Sequence, residues 1–119
     1  MSRRATSSRP IESTRSQPAD RVHAAAVEVD LRLRDVHSLK AKRHRLKRLS
    51  AALRSAYSVA FAETDHQDQW QRATVAVGIV SPHASQLDMA VYSIERFIDG
   101  FEGVEVIEIG VSYLEDPRT

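Results

Sequence analysis

The apolar residues of this chain switch between two periods in a fixed succession, and that succession restricts the fold more than any composition figure does. Val27, Val29, Leu31 and Leu33 fall on one side of an extended chain and Glu28, Asp30 and Arg32 on the other, the period of a half-buried strand that starts at Val22. Ser38 is suited to cap a helix, and Leu39, Leu46, Leu49 and Leu53 follow at helical spacing, with no Gly or Pro before Tyr57. The spacing predicts a helix over 38–55. YSVAFAET (57–64) returns to β-type residues, DHQDQ is a polar turn, and WQRATVAVGIV (70–80) sets Ala73, Val75, Val77 and Ile79 on one face, so the stretch reads as a hairpin. SPH (81–83) opens a second helix striped by Leu87, Val91, Ile94 and Ile98. GFEG (100–103) then forms the turn that ends it, and Val104 to Leu114 is a last strand. The order β-α-β-β-α-β predicts an α+β, ferredoxin-like sandwich: a four-stranded antiparallel sheet with both helices on one face.

A chain of 119 residues supports one core, so a single domain is expected over 21–115, followed by a short tail at 116–119. Residues 1–20 hold seven Ser or Thr, two Pro, four Arg and one large aliphatic side chain, Ile11. That composition buries too little to offset its ordering entropy, and a disordered arm is expected. A transit peptide would also be rich in Arg and Ser, but this arm has two acids, two prolines and no amphipathic stripe. No apolar run approaches the roughly 20 residues that cross a bilayer, and no secretory h-region is present, so a cytoplasmic protein without membrane contact is expected. The absence of cysteine excludes a disulfide framework, a zinc ribbon and a thiol nucleophile. His23, His37, His44, His66 and His83 are scattered over different elements with no i,i+4 pair, so neither a metal nor a cofactor is expected.

The overall charge of +1 conceals a division: residues 1–58 carry 14 basic and 5 acidic side chains, residues 59–119 carry 3 and 11. Such a division suits an anionic partner on one surface, or the association of opposite faces. The basic excess is densest in SLKAKRHRLKRL (38–49), with six Lys or Arg, one His and no acid. On a helical wheel Lys40, Arg43, Lys47 and Arg54 line one flank of the leucine stripe, and Lys42 and Arg45 lie on the other. An ordinary solvated helix mixes Glu with Lys, because like charges at i,i+4 cost a few tenths of a kcal/mol. Two readings follow. These six bases contact nucleic-acid phosphates, each neutralised phosphate adding to the salt dependence of binding; or they cover the helix and shield the core with their stems. Base stacking on the sheet is not expected, since the two central strands offer no outward aromatic.

The predicted topology brings the end of strand one, the start of helix one and the DHQDQW turn to one edge of the domain. His66, Asp68, Trp70 and Arg72 there form a candidate second contact. The alternative is structural: Asp65 and Asp68 satisfy turn amides, Trp70 packs on the sheet end, and Arg72 pairs with Glu28 or Asp30. His66 beside Asp65 or Asp68 is a thin basis for a general base without an activated nucleophile, so no catalytic residue is assigned and no enzyme activity is expected. The outward sheet face, with Ala24, Ala26, Ala60, Ala62, Thr74, Ala76, Gly78, Gly110 and Ser112, is small and flat, which suits a second sheet or simply an exposed one.

VEVDLRL, SLKAKRHRLKRL and HQDQWQRA, in this order and spacing, resemble the YlxP-like family of small bacterial proteins of unknown function. The resemblance spans about residues 22–115 and leaves the arm outside. It departs from the usual pattern in the RDVH turn, where relatives tend to carry a smaller one, and in the additional His44. It implies a ferredoxin-like fold and no known reaction. The family's habitual gene company of ribosome-maturation and translation-initiation factors implies a role around the ribosome. The function expected is a non-enzymatic factor bound to ribosomal RNA or a ribosomal subunit through the first helix. The alternative is a protein-interaction or homodimerisation module acting through the open sheet face.

Overall fold

The computed structural model describes residues 21–114; the arm expected over 1–20 and the tail expected over 116–119 lie outside the described residues. The elements are β1 (His23–Leu33), α1 (Leu39–Ala56), β2 (Ala60–Asp65), β3 (Arg72–Ser81), α2 (Ala84–Asp99) and β4 (Val104–Tyr113). The strands form one antiparallel sheet in the order β2-β3-β1-β4, the ferredoxin-like arrangement.

The alternation in β1 does what its period requires: Val27, Val29, Leu31 and Leu33 are fully buried on the inner face, while Ala26, Glu28 and Arg32 are exposed. Ala73, Val75, Val77 and Ile79 continue the inner layer on β3. Leu46, Leu49 and Leu53 of α1 and Leu87, Val91, Ile94 and Ile98 of α2 close over it in one aliphatic cluster, so both helices cover the same face. At about 25 cal/mol per Å² each such aliphatic side chain contributes roughly 1.5–3 kcal/mol, and the stripe outweighs the weak helix propensity of its Ser and His members. Aromatic rings seal one end of the interhelical seam, with Phe97 edge-on to Tyr57 (centroids 6.0 Å apart) and stacked near Phe101 (6.2 Å).

Helix α1 starts as its sequence predicts: the Ser38 hydroxyl accepts from the Ala41 N–H at 3.0 Å and stands in for the missing turn. The GFEG turn ends α2. Gly100 is its C-cap, its N–H reaching Arg96 O at 3.1 Å, and the left-handed residue is Gly103 at φ +92°. A Cβ on Gly103 would lie 2.8 Å from the Arg45 guanidinium, so a side chain there would be strained by the backbone conformation and would displace Arg45. Two bulges, at Thr64 in β2 and Ile107 in β4, shift the pairing registers.

Candidate nucleic-acid interface and the hairpin turn

The six candidate bases of α1 do not form one surface. Lys40, Arg43, Lys47 and Arg54 are exposed along a single flank, with His44 and Arg48 also open to solvent. Arg48 lies over the Phe101 ring, 6.0 Å from its centroid.

Lys42 is a correction to the nucleic-acid set, because it is 1% exposed. Its position, three residues after Leu39 and four before Leu46, is the core face of the helix. Its ammonium ends 2.8 Å from Glu63 Oε2 and donates to the His66 carbonyl at 2.5 Å. Glu63 lies opposite Val75 on the inner side of β2, a carboxylate aimed at the helix layer. The contact is an ion pair with one directed hydrogen bond, and it neutralises a charge that burial alone would make very costly. Arg45 is half-buried and also committed: Nη1 donates to Arg34 O at 2.8 Å and Gly103 O at 2.6 Å, tying α1 to the two turns beside it. Lys42 keeps no free cationic head for phosphate, and Arg45 has one terminal nitrogen engaged by two carbonyls.

The expected meeting of the two sequence blocks does occur. Besides the Lys42 bond, Gln71 Nε2 donates to Val36 O at 3.1 Å and Leu33 N to Gln71 O at 2.9 Å, so the end of β1, the start of α1 and the hairpin turn share one edge. His66 has a left-handed backbone (φ +63°), a conformation costing on the order of 1 kcal/mol outside glycine. Three contacts hold it: its N–H donates to Asp65 Oδ1 at 2.7 Å, its carbonyl accepts from Lys42, and Gln69 Nε2 stands 3.2 Å from Nδ1. The imidazole faces the outer side of the sheet, with Nε2 4.0 Å from Asp30 Oδ1. Arg72 Nη2 bonds Asp30 Oδ2 at 2.8 Å, as the cross-strand reading anticipated, and the Thr74 hydroxyl approaches Asp30 Oδ1 at 3.4 Å.

Together these residues border a depression of about 380 Å³ lined by Glu28, Asp30, Thr64, Asp65, His66, Thr74, Glu108 and Gly110. The outer face is therefore divided: small at the Ala24, Ala26, Ala60 and Gly78 end, acidic at the other. Trp70 departs from the expectation that it packs on the sheet end. It is 51% exposed and lines a second, shallower depression with Arg32, Asp68, Gln69, Gln71 and Arg72. Asp68 is exposed in the turn, so the four expected second-contact residues are split between the two depressions, Arg72 bridging them.

Residues 24–111 match the family described as a protein of unknown function, DUF503. The chain belongs to this family. It is 34% identical over 71 residues to the uncharacterised protein YlxP of Bacillus subtilis (strain 168), a match covering 60% of this chain and 77% of that protein. In this DUF503 member the blocks SLKAKR and HQDQWQRA meet in space: Lys42 donates to the His66 carbonyl, and Gln71 to the Val36 carbonyl just before α1. No helix of the described residues is long and apolar enough to cross a membrane.

Proposed function

We propose that this protein is a non-enzymatic factor that binds RNA of the ribosome through the exposed flank of α1, with Lys40, Arg43, Lys47 and Arg54 as the phosphate contacts. One observation carries the reading: after Lys42 and Arg45 are assigned to the fold, four bases still project from one flank, and the helix contains no acid to pair with them. With the duplex-DNA coefficient, four phosphate contacts give a log-log salt slope of about −3.6, and binding about a hundredfold weaker at 200 than at 50 mM salt. Contacts of this type position a protein on a folded RNA by shape and read no base. Trp70, exposed in the hairpin turn, is the second contact.

The test is sedimentation of lysate containing the tagged chain through a sucrose gradient at low and moderate salt, beside the Lys40→Glu/Lys47→Glu variant. Co-migration with a ribosomal subunit that is lost with salt and with the reversals supports the reading. A chain that stays at the top in every condition sinks it.

A second reading is favoured by Val80, 71% exposed at the small-residue end of the outer face beside Ala24, Ala60 and Gly78. There the chain is a protein-interaction module acting through that face. Salt-insensitive association abolished by Val80→Lys, with no affinity for RNA, would favour it over the first.

A further inference from the structure

The two edges of the sheet are unequal. β2 has six residues, is bulged at Thr64, and turns Glu63 inward to Lys42. β4 has ten residues with neither Pro nor Lys, and its only strand partner among the described residues is β1. Natural edge strands are blunted by short length, prolines, charged side chains or bulges placed to break pairing; β4 has the bulge at Ile107 and the carboxylates of Glu105 and Glu108, and none of these from Ile109 to Tyr113.

The direction of the free main-chain groups follows from one bond. Leu114 N donates to Ala24 O at 2.9 Å, so Ala24 and Leu114 are a hydrogen-bonded pair. By the alternation of antiparallel ladders, Ser112, Gly110 and Glu108 also turn their amides toward β1. The N–H and C=O of Ile109, Val111 and Tyr113 therefore point to the open edge. The apolar surface is concentrated there: of the eight large apolar side chains left exposed, five (Met89, Tyr92, Ile107, Tyr113 and Leu114) belong to α2 or to β4 and its end. Tyr92 lies on the flank of α2 that carries Asp88 and Glu95, the two carboxylates that act on the Tyr113 phenol.

We propose that β4 is the seat of a homodimer, pairing antiparallel with β4 of a second copy about a two-fold axis at Gly110, so that two sheets become one of eight strands. The occupant is a second copy because the edge is self-complementary in this register. Ile109 lies opposite Val111 of the partner, and their outward N–H and C=O groups satisfy each other. Glu108 meets Ser112 of the partner, so no carboxylates are set directly opposite. Gly110 meets its own equivalent, where a Cβ would find nothing within 4 Å in the single chain. Stacking of outer faces would instead bring Glu28, Asp30 and Glu108 of both copies together. The two-fold axis is normal to the sheet, so both helix layers stay on one side and the exposed Tyr92 flanks of α2 approach each other. None of this rests on the RNA reading.

Sedimentation equilibrium of the full chain tests it, at about 100 µM and below, a range that detects a dimer of micromolar Kd. The wild-type chain should be dimeric. Val111→Pro removes an N–H that β1 does not use, and should weaken the dimer about a hundredfold through the loss of two symmetric hydrogen bonds and the clash of the ring. Circular dichroism checks that its fold is kept. Gly110→Lys projects into open space in one chain but sets two ammonium groups across the axis, and should weaken the dimer about fivefold; it decides the matter if the proline variant misfolds. Ser112→Lys, facing Glu108 of the partner, should tighten it by a similar factor. A wild-type chain that remains monomeric at about 100 µM, or a dimer that ignores both Val111→Pro and Gly110→Lys, overturns the proposal.

Discussion

Lys42 and Lys47 belong to the same run of bases on the same helix, yet one is 1% exposed and ion-paired while the other stands in solvent. The same split divides Arg45, bound to two carbonyls, from Arg43. The difference between the two sets is angular. Lys42 lies on the leucine stripe and Arg45 beside it toward the GFEG turn, whereas Lys40, Arg43, Lys47 and Arg54 lie about a quarter-turn away on the other side. A count of positive charge treats the two sets alike; the fold uses one to join its parts and leaves the other as a surface.

Substitutions should separate the sets. The largest effect is expected at Lys42: Lys42→Met leaves Glu63 and the His66 carbonyl without their partner and should cost about 3 kcal/mol, read as a fall in Tm and in the urea midpoint. Adding Glu63→Leu should restore much of the loss, because replacing both partners removes the orphaned charge. A Lys42→Met chain as stable as wild type would mean that the buried pair does not hold the fold together. Arg45→Ala should cost about 1.5–2 kcal/mol for two charge-assisted bonds, with the GFEG turn loosening first in hydrogen exchange.

Ser38→Ala, which deletes the cap on which the whole helix starts, should cost about 1 kcal/mol in the same denaturation experiments. Lys40→Ala with Lys47→Ala should change stability by less than about 0.5 kcal/mol, since both are exposed and neighbouring bases repel, while lowering the salt slope of any RNA affinity by nearly 2. A stability loss as large as that of Lys42→Met would mean the exposed flank is structural too.

The smallest effect extends the contrast to a group whose neighbours are acids. Partial desolvation, then the Asp88 and Glu95 carboxylates, raise the Tyr113 phenol above its ordinary 10.0. The folded chain thus holds the phenolic proton more tightly than the unfolded one. The associated stability is present below pH 10.0 and lost as pH rises through the raised value. Tyr113→Phe should flatten the alkaline end of the stability profile, and an unchanged slope would show the phenol to be unperturbed.

Period carried most of the fold. Val27 to Leu33 and Ala73 to Ile79 could be read as inner faces from alternation alone, because a half-buried strand leaves no other choice of side. The leucines of α1 could be read in the same way, and Ser38 marked its start. Strand β2 was the least legible: its start, Ala60, lies three residues beyond the expected one, because Tyr57 to Val59 follow the helix without a ladder partner.

At the interface, the exposed flank was legible from the wheel, but Lys42 was not assigned to the core, although its spacing from Leu39 and Leu46 placed it there. What the sequence lacks is the partner. Glu63 is 21 residues away, and only its sharing of a face with Phe61 hints that it points inward. The pairing of Arg72 with Asp30 could be anticipated because both are outward residues on neighbouring strands, whereas the exposure of Trp70 depends on turn geometry that composition does not encode.

The strand order has a consequence for how the chain acquires its structure. β1 is central but is synthesised first, and its two neighbours are the third and fourth strands. At about 5–20 residues per second, Leu33 is made roughly 2–10 s before the last residue of β3, and β4 comes later still. In that interval α1 is the element that local contacts can form, on the nanosecond-to-microsecond timescale of helices, whereas the sheet waits for pairings of long sequence separation. A nascent chain cut before residue 104 would hold a central strand with one side unpaired, and it should be readily cleaved by protease; the full-length chain should resist.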